Sequence, residues 1–201
     1  MRISDYVLRP KRVSSIKWLE YIFFGSFLLG IILANLCGKD SLEQFGIFNT
    51  YYLKQFQYAK ILDSDLLAYI MEIRVPILGM LILTGMTSFW YPLQILFVGW
   101  NGGILGFLCV SGIMNLGVGA ILLMGTALFP QYIFYVLMYL ILLKTFSQYH
   151  DPKEVCYTGQ RTQKRFWLLV VAGLVAVIFM LGLLSEAYIN PFLMKKVIKI
   201  F

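Results

Sequence analysis

VPILGMLILTGMTSFWYPLQILFVGWNGGILGFLCVSGIMNLGVGAILLMGTALFPQYIFYVLMYLILL, residues 75–143, runs for 69 positions without an Asp, Glu, Lys or Arg. A folded surface in water needs charge, and no soluble domain can use a stretch like this one. At about 1.5 Å per helical residue it extends roughly 100 Å, enough to cross a hydrocarbon core of about 30 Å three times. Lipid offers no hydrogen-bonding partners, so every amide in those crossings must bond within its own segment, which requires helix. The chain is therefore expected to be an all-α integral membrane protein.

The remainder of the 201 residues agrees, with 60% hydrophobic side chains and a formal net charge of +7. Such a composition excludes disorder and argues against nucleic-acid binding, because the basic residues sit in short clusters beside apolar spans. There they set topology or meet anionic lipid headgroups. Cys37, Cys109 and Cys156 show neither CxxC spacing nor a neighbouring His, so no metal site, redox site or disulfide framework is expected.

Working toward the N-terminus, residues 1–17 carry Arg2, Arg9, Lys11, Arg12 and Lys17 against the single acid Asp5. This predicts a cytoplasmic N-terminus ahead of a first span, Trp18–Cys37, retained as an anchor. Ser26, Gly30 and Ala34 recur every four residues along it, a small-residue stripe against which another helix can pack closely. Segment 38–74 mixes acids with bases, and from about Thr50 to Ile73 its apolar residues recur at roughly helical spacing. An extracytoplasmic amphipathic helix is expected there. It either lies on the bilayer surface or serves as a docking element for a partner.

Within the uncharged block, Pro92 marks a cytoplasmic turn over 88–92, and Asn115–Gly119 marks a second turn. Spans are thus expected near 75–90, 93–113 and 119–144. Gly99, Gly102, Gly103 and Gly106 fall on one face of the middle span, a surface for close helix packing, with Asn101 as interhelical glue. The basic loop 144–165 reads as cytoplasmic, and Phe166–Tyr188 as the fifth span. The predicted inside then holds ten basic residues and the outside seven. A short amphipathic tail helix on the outer face accommodates the three lysines after Pro191.

No HExxH, GxSxG, Walker motif or paired carboxylates occur, so catalysis and cofactor binding are not expected. Two polar breaks remain. Phe129-Pro130-Gln131 interrupts the fourth span, and Glu186-Ala187-Tyr188-Ile189-Asn190-Pro191 ends the fifth. Proline frees carbonyls that polar side chains can satisfy, so Glu186 is expected to lie near Pro130, held by polar contacts, as a clamp between helices four and five. Intramembrane ionisable residues also mark binding sites, and a binding notch is the alternative.

Ser185-Glu186-Ala187-Tyr188-Ile189-Asn190-Pro191 resembles the C-terminal Glu-Ala-aromatic…Pro signature of the stage II sporulation protein M family. Phe129-Pro130-Gln131 resembles that family's proline break in the fourth span. Many relatives carry Pro-His-Gly and a downstream Glu at that break, where this chain has Gln131, Tyr132 and Tyr135. The resemblance extends over nearly the whole chain, including the tail Phe192-Leu193-Met194-Lys195-Lys196. It implies a non-enzymatic multi-pass protein of the cell membrane in endospore-forming bacteria, needed for engulfment of the forespore. The implied partners are peptidoglycan hydrolases, an amidase/endopeptidase and a lytic transglycosylase, held at the septal membrane. Membrane lipid is a further expected partner, as is a second copy of the chain in a homo-oligomer. A transporter subunit, such as an exporter permease, is the alternative function, since glycine-rich spans and proline breaks also suit moving helices.

Overall fold

The computed structural model describes residues 12–38, 63–150 and 161–199, and those residues are helical apart from short turns and the helix ends. Helix α1 covers Arg12–Cys37, α2 Asp63–Met86, α3 Trp90–Leu116, α4 Gly119–Leu128, α5 Gln131–Tyr149 and α6 Arg161–Leu184. A π-helical turn, Ser185–Ile189, links α6 without a break to α7, Asn190–Ile198. Five of these segments are long and apolar enough to cross a membrane: 17–37, 64–86, 90–116, 131–149 and 168–198. This is a multi-pass, all-α membrane protein.

The elements differ from the expected spans at their ends. Residues 63–74 were expected to belong to a separate amphipathic helix, but they form the first turns of α2 and run unbroken into the second crossing. The rest of that expected helix, 50–62, lies outside the described residues. Of the expected apolar stripe, Ile70 is buried in a cluster with α5 and α6 and Leu66 packs against that cluster, as does Leu67, whereas Tyr69 is 61% exposed. The first turn falls at 87–89 rather than 88–92, with Thr87 N–H donating to Thr84 O at 3.1 Å and Trp90 N–H to Thr87 O at 3.2 Å. Pro92 then sits in the opening turn of α3, where an absent N–H leaves no helical bond unmade. The second turn lies where it was expected. Gly117 adopts φ +62°, a left-handed conformation that side chains resist, and its N–H closes α3 on Ile113 O at 2.8 Å. Helix α5 continues to Tyr149 and α6 begins at Arg161, which shortens the loop read as 144–165. The fifth crossing is likewise longer than 166–188. It carries the tail with it, and Ile198 is buried against Leu123 and Met124 of α4.

Neighbouring contacts give the direction of each crossing. Leu19 packs with Val98, a Cβ on Gly102 would meet Phe23 and Ser26, and one on Gly106 would meet Phe27, so α1 and α3 run parallel. His150 stacks on Trp90 with ring centroids 5.5 Å apart, so α5 ends where α3 begins. The start of α1, the 87–89 turn and the end of α5 thus share one face of the bundle. Cys37, Asp63, the 117–118 turn and Ile198 share the other.

The α1–α3 contact depends on absent side chains. A Cβ on Gly30 would collide with the carbonyl of Gly103, one on Gly102 with the carbonyl of Phe23, and one on Gly106 with the carbonyl of Phe27. Backbone meets backbone there, the mode of association that lipid-embedded helices favour. Gly99 and Gly103 are less constrained, with ordinary contacts of 3.7 Å to Ile22 and to Ser26 O. Asn101 bonds within its own helix, Nδ2 to Phe97 O at 2.8 Å, and does not act as the interhelical glue expected of it. The main apolar core lies on the other side of the bundle, where Ile70 of α2 meets Met138, Leu142 and Phe146 of α5 and Val175, Ile178, Phe179 and Leu183 of α6.

Candidate functional site

Arg74 lies about 16 Å from the start of α2, counting about 1.5 Å per residue, and so near mid-span. Its guanidinium faces the π-turn, donating from Nε to Glu186 Oε2 at 3.1 Å and from Nη2 to Glu186 Oε1 at 2.6 Å. Tyr135 of α5 completes the group. Its hydroxyl donates to Glu186 Oε2 at 2.6 Å, and its ring lies under the guanidinium, 5.2 Å from Cζ to centroid. Tyr135 can occupy this place because position 182 is glycine, where a Cβ would come within 2.8 Å of the tyrosine ring. The carboxylate side chain is 14% exposed and the arginine side chain 37%.

In hydrocarbon this pairing decides whether either charge is tolerable. A lone Arg or Asp at a helix centre is disfavoured by about 2.5–3.5 kcal/mol on insertion scales, and far more in estimates for an isolated helix. Forked pairing cancels the net charge and satisfies the carboxylate with directed donors. Attraction between the partners is offset in large part by their desolvation, so the pair secures geometry more than stability.

A second polar group forms where the two helix breaks meet. Phe129 is extended at φ −92°, ψ 139°, and its peptide bond to Pro130 is cis. Helix α4 stops there and α5 restarts at Gln131, leaving carbonyls in the last turn of α4 in need of donors. Ala127 O receives two: Gln131 Nε2 at 2.9 Å and Asn190 Nδ2 at 3.2 Å. Asn190 Nδ2 also donates to Gln131 Oε1 at 3.1 Å, which closes a three-membered ring of contacts. On the other chain segment, Pro191 has no N–H to return to Ala187. The turn ahead of it is widened, with Asn190 N–H reaching back to Ser185 O.

The sequence-predicted residues therefore separate into two places. Gln131 and Asn190 meet at the facing breaks beside Pro130 and Pro191, with Glu186 on the adjoining π-turn, whereas Gly99, Gly102, Gly103 and Gly106 lie on the α1–α3 contact. Within the first set the expected partners differ. Glu186 was expected beside Pro130 and a glutamine side chain, but Gln131 bonds Asn190, and Glu186 turns instead to Arg74 and Tyr135. Arg74 was missed because it was assigned to an external segment. The available signal was charge arithmetic: Arg74 borders the uncharged block, and Glu186 is the one acid in the last span. Gln94 was also missed. It is fully buried in α3 and accepts from the Tyr139 hydroxyl at 2.8 Å, while its Nε2 has no partner.

Among the described residues no three His, Cys, Asp or Glu side chains are grouped to hold a metal ion. An open groove of about 470 Å³, lined by Gly125, Phe129, Tyr132, Ile133 and Val136, runs along α4 and α5. Its apolar walls suit an acyl chain and offer little to a polar ligand. No protein-family model, curated protein or solved structure matches the chain.

Proposed function

We propose that this protein is a non-enzymatic membrane scaffold of the stage II sporulation protein M type, required for forespore engulfment. In this reading it sits in the cell membrane with a cytoplasmic N-terminus and holds peptidoglycan hydrolases at the septal membrane through the part of segment 38–74 that precedes α2. One observation carries the reading. The stretch Ser185–Pro191, whose sequence resembles the family signature, is the stretch that ties the bundle together. Glu186 joins the last crossing to α2 and α5, and Asn190 joins it to the α4–α5 break. A platform needs a rigid bundle, and side chains spent on mutual bonds at mid-membrane provide one. The charged residues that precede α2, Lys54 and Lys60 among them, supply a means of choosing partners, since charge complementarity sets specificity more than affinity. Cross-linking followed by purification of the tagged protein from sporulating cells tests the proposal. Enrichment of an amidase/endopeptidase and a lytic transglycosylase, together with stalled engulfment on deletion, is expected. Normal engulfment in the deletion strain overturns it.

A second reading, a transporter subunit, is favoured by the charged pair beside two interrupted helices, the setting in which secondary transporters bind ions and substrates. Substrate or proton flux through the purified protein in liposomes would select it over the scaffold.

A further inference from the structure

At the facing breaks two buried oxygen atoms lack a hydrogen-bonding partner within the protein, Ser185 Oγ and Asn190 Oδ1. The orientation of the asparagine amide is not a free choice. Its other end lies 3.2 Å from Ala127 O, and a backbone carbonyl only accepts, so the nitrogen must face Ala127 and the oxygen must face away. Gln131 is fixed by the same carbonyl at 2.9 Å, which leaves its Oε1 to accept from Asn190. Turning either amide over would set acceptor against acceptor. The π-turn sets the residues that carry these two atoms one wide turn apart, since Asn190 N–H closes on Ser185 O. Ser185 itself is only 3% exposed.

Roughly nine in ten or more buried polar groups in native proteins have a partner, so two unpaired oxygens on one turn point to an occupant. It has to bring a donor for Asn190 Oδ1 and an acceptor for the Ser185 hydroxyl. We infer that the π-turn encloses a binding site for one buried water molecule, which donates to Asn190 Oδ1 and accepts from Ser185 Oγ. An alkali cation also binds oxygens, but the adjacent carboxylate of Glu186 is already paired with Arg74. A bare ion held by two neutral oxygens would keep most of its desolvation penalty at this depth. Water is neutral, offers two donors and two acceptors, and commonly fills such polar gaps with two to four bonds. Its place in the structure is mechanical: it ties the side chains at the two ends of the wide turn that carries Glu186 toward Arg74. The inference does not depend on the scaffold proposal.

The test uses the full-length protein purified in detergent. In an experimental structure that resolves waters, one density peak within about 2.7–3.2 Å of both oxygens is expected. Contact of the two oxygens with each other, or an empty gap, overturns the inference, and this measurement needs no variant. Ser185→Ala gives a readout of opposite sign for the two cases. If the water is present, losing its hydroxyl partner lowers the unfolding midpoint by roughly 2–4 °C. If the gap is dry, removing an unpaired buried hydroxyl leaves the midpoint unchanged or raises it. Exchanging sodium and potassium for choline should leave the wild-type midpoint unchanged, and a drop would identify the occupant as a metal cation instead.

Discussion

Arg74 and Glu186, 112 residues apart in sequence, meet through a forked pair of hydrogen bonds at 3.1 and 2.6 Å inside the membrane-spanning bundle. Each residue alone would be a liability at that depth, so the sensitivity of one should depend on the presence of the other. Arg74→Leu and Glu186→Leu should each lower the amount of folded protein in the membrane, with a loss of about 2.5 kcal/mol or more per stranded charge. The double variant Arg74→Leu/Glu186→Leu should recover much of that loss. Glu186→Gln should fall between wild type and Glu186→Leu, because an amide oxygen still accepts from Tyr135 while the guanidinium stays uncompensated. Unfolding of the four purified proteins by graded denaturing detergent measures the coupling, and simple additivity of the two single losses would show that the pair contributes nothing as a pair.

The contact between α1 and α3 makes position-specific demands on glycine. Gly106→Ala places a methyl group on the carbonyl of Phe27 and should destabilise by about 1–3 kcal/mol, since backbone must move to admit it. Gly99→Ala meets only the Ile22 side chain at 3.7 Å and should stay within about 0.5 kcal/mol of wild type. Disulfide trapping between cysteines placed on the two helices reports the contact directly. Equal trapping in both alanine variants would mean that the helices do not approach as described.

Gln94 and Tyr139 should behave as a unit. Tyr139→Phe removes the one bond to Gln94 Oε1 and leaves a fully buried amide without partners, at about 1–3 kcal/mol. Replacing both, as Gln94→Leu/Tyr139→Phe, should be close to neutral. Thermal unfolding of the single and double variants distinguishes this outcome from a tyrosine that acts only through its ring.

Thr87 and Val118 lie in turns on opposite faces of the bundle, and both are exposed. With native cysteines replaced, a membrane-impermeant thiol reagent applied to intact cells should label Val118→Cys and spare Thr87→Cys if the N-terminus is cytoplasmic. The reverse pattern inverts the orientation, and labelling of both would contradict the single crossing, α3, between the two positions.

Helical, membrane-spanning character could be read directly from the chain, because 69 uncharged residues in hydrocarbon leave helix as the available way to satisfy the backbone. The glycine-rich faces of the first and third crossings were legible for a similar reason: a missing side chain at helical spacing is a local statement about how near a neighbour can come. Proline and glycine likewise announced the breaks at Phe129-Pro130 and Gly117. Element ends were less legible where hydrophobicity alone had to mark them. Residues 63–74 carry charges that look external, yet they belong to a spanning helix, with Ile70 buried against α5 and α6 and Leu66 and Leu67 packed on the same cluster. The partner of Glu186 was beyond reach for the same kind of reason. Spacing along one helix states which residues share a face, but which faces meet depends on packing between segments far apart in the chain. Only the tertiary structure brings Arg74 of α2, Tyr135 of α5 and Glu186 of the π-turn to one point, and only there does a charge that looked like a topology signal become one half of an intramembrane pair.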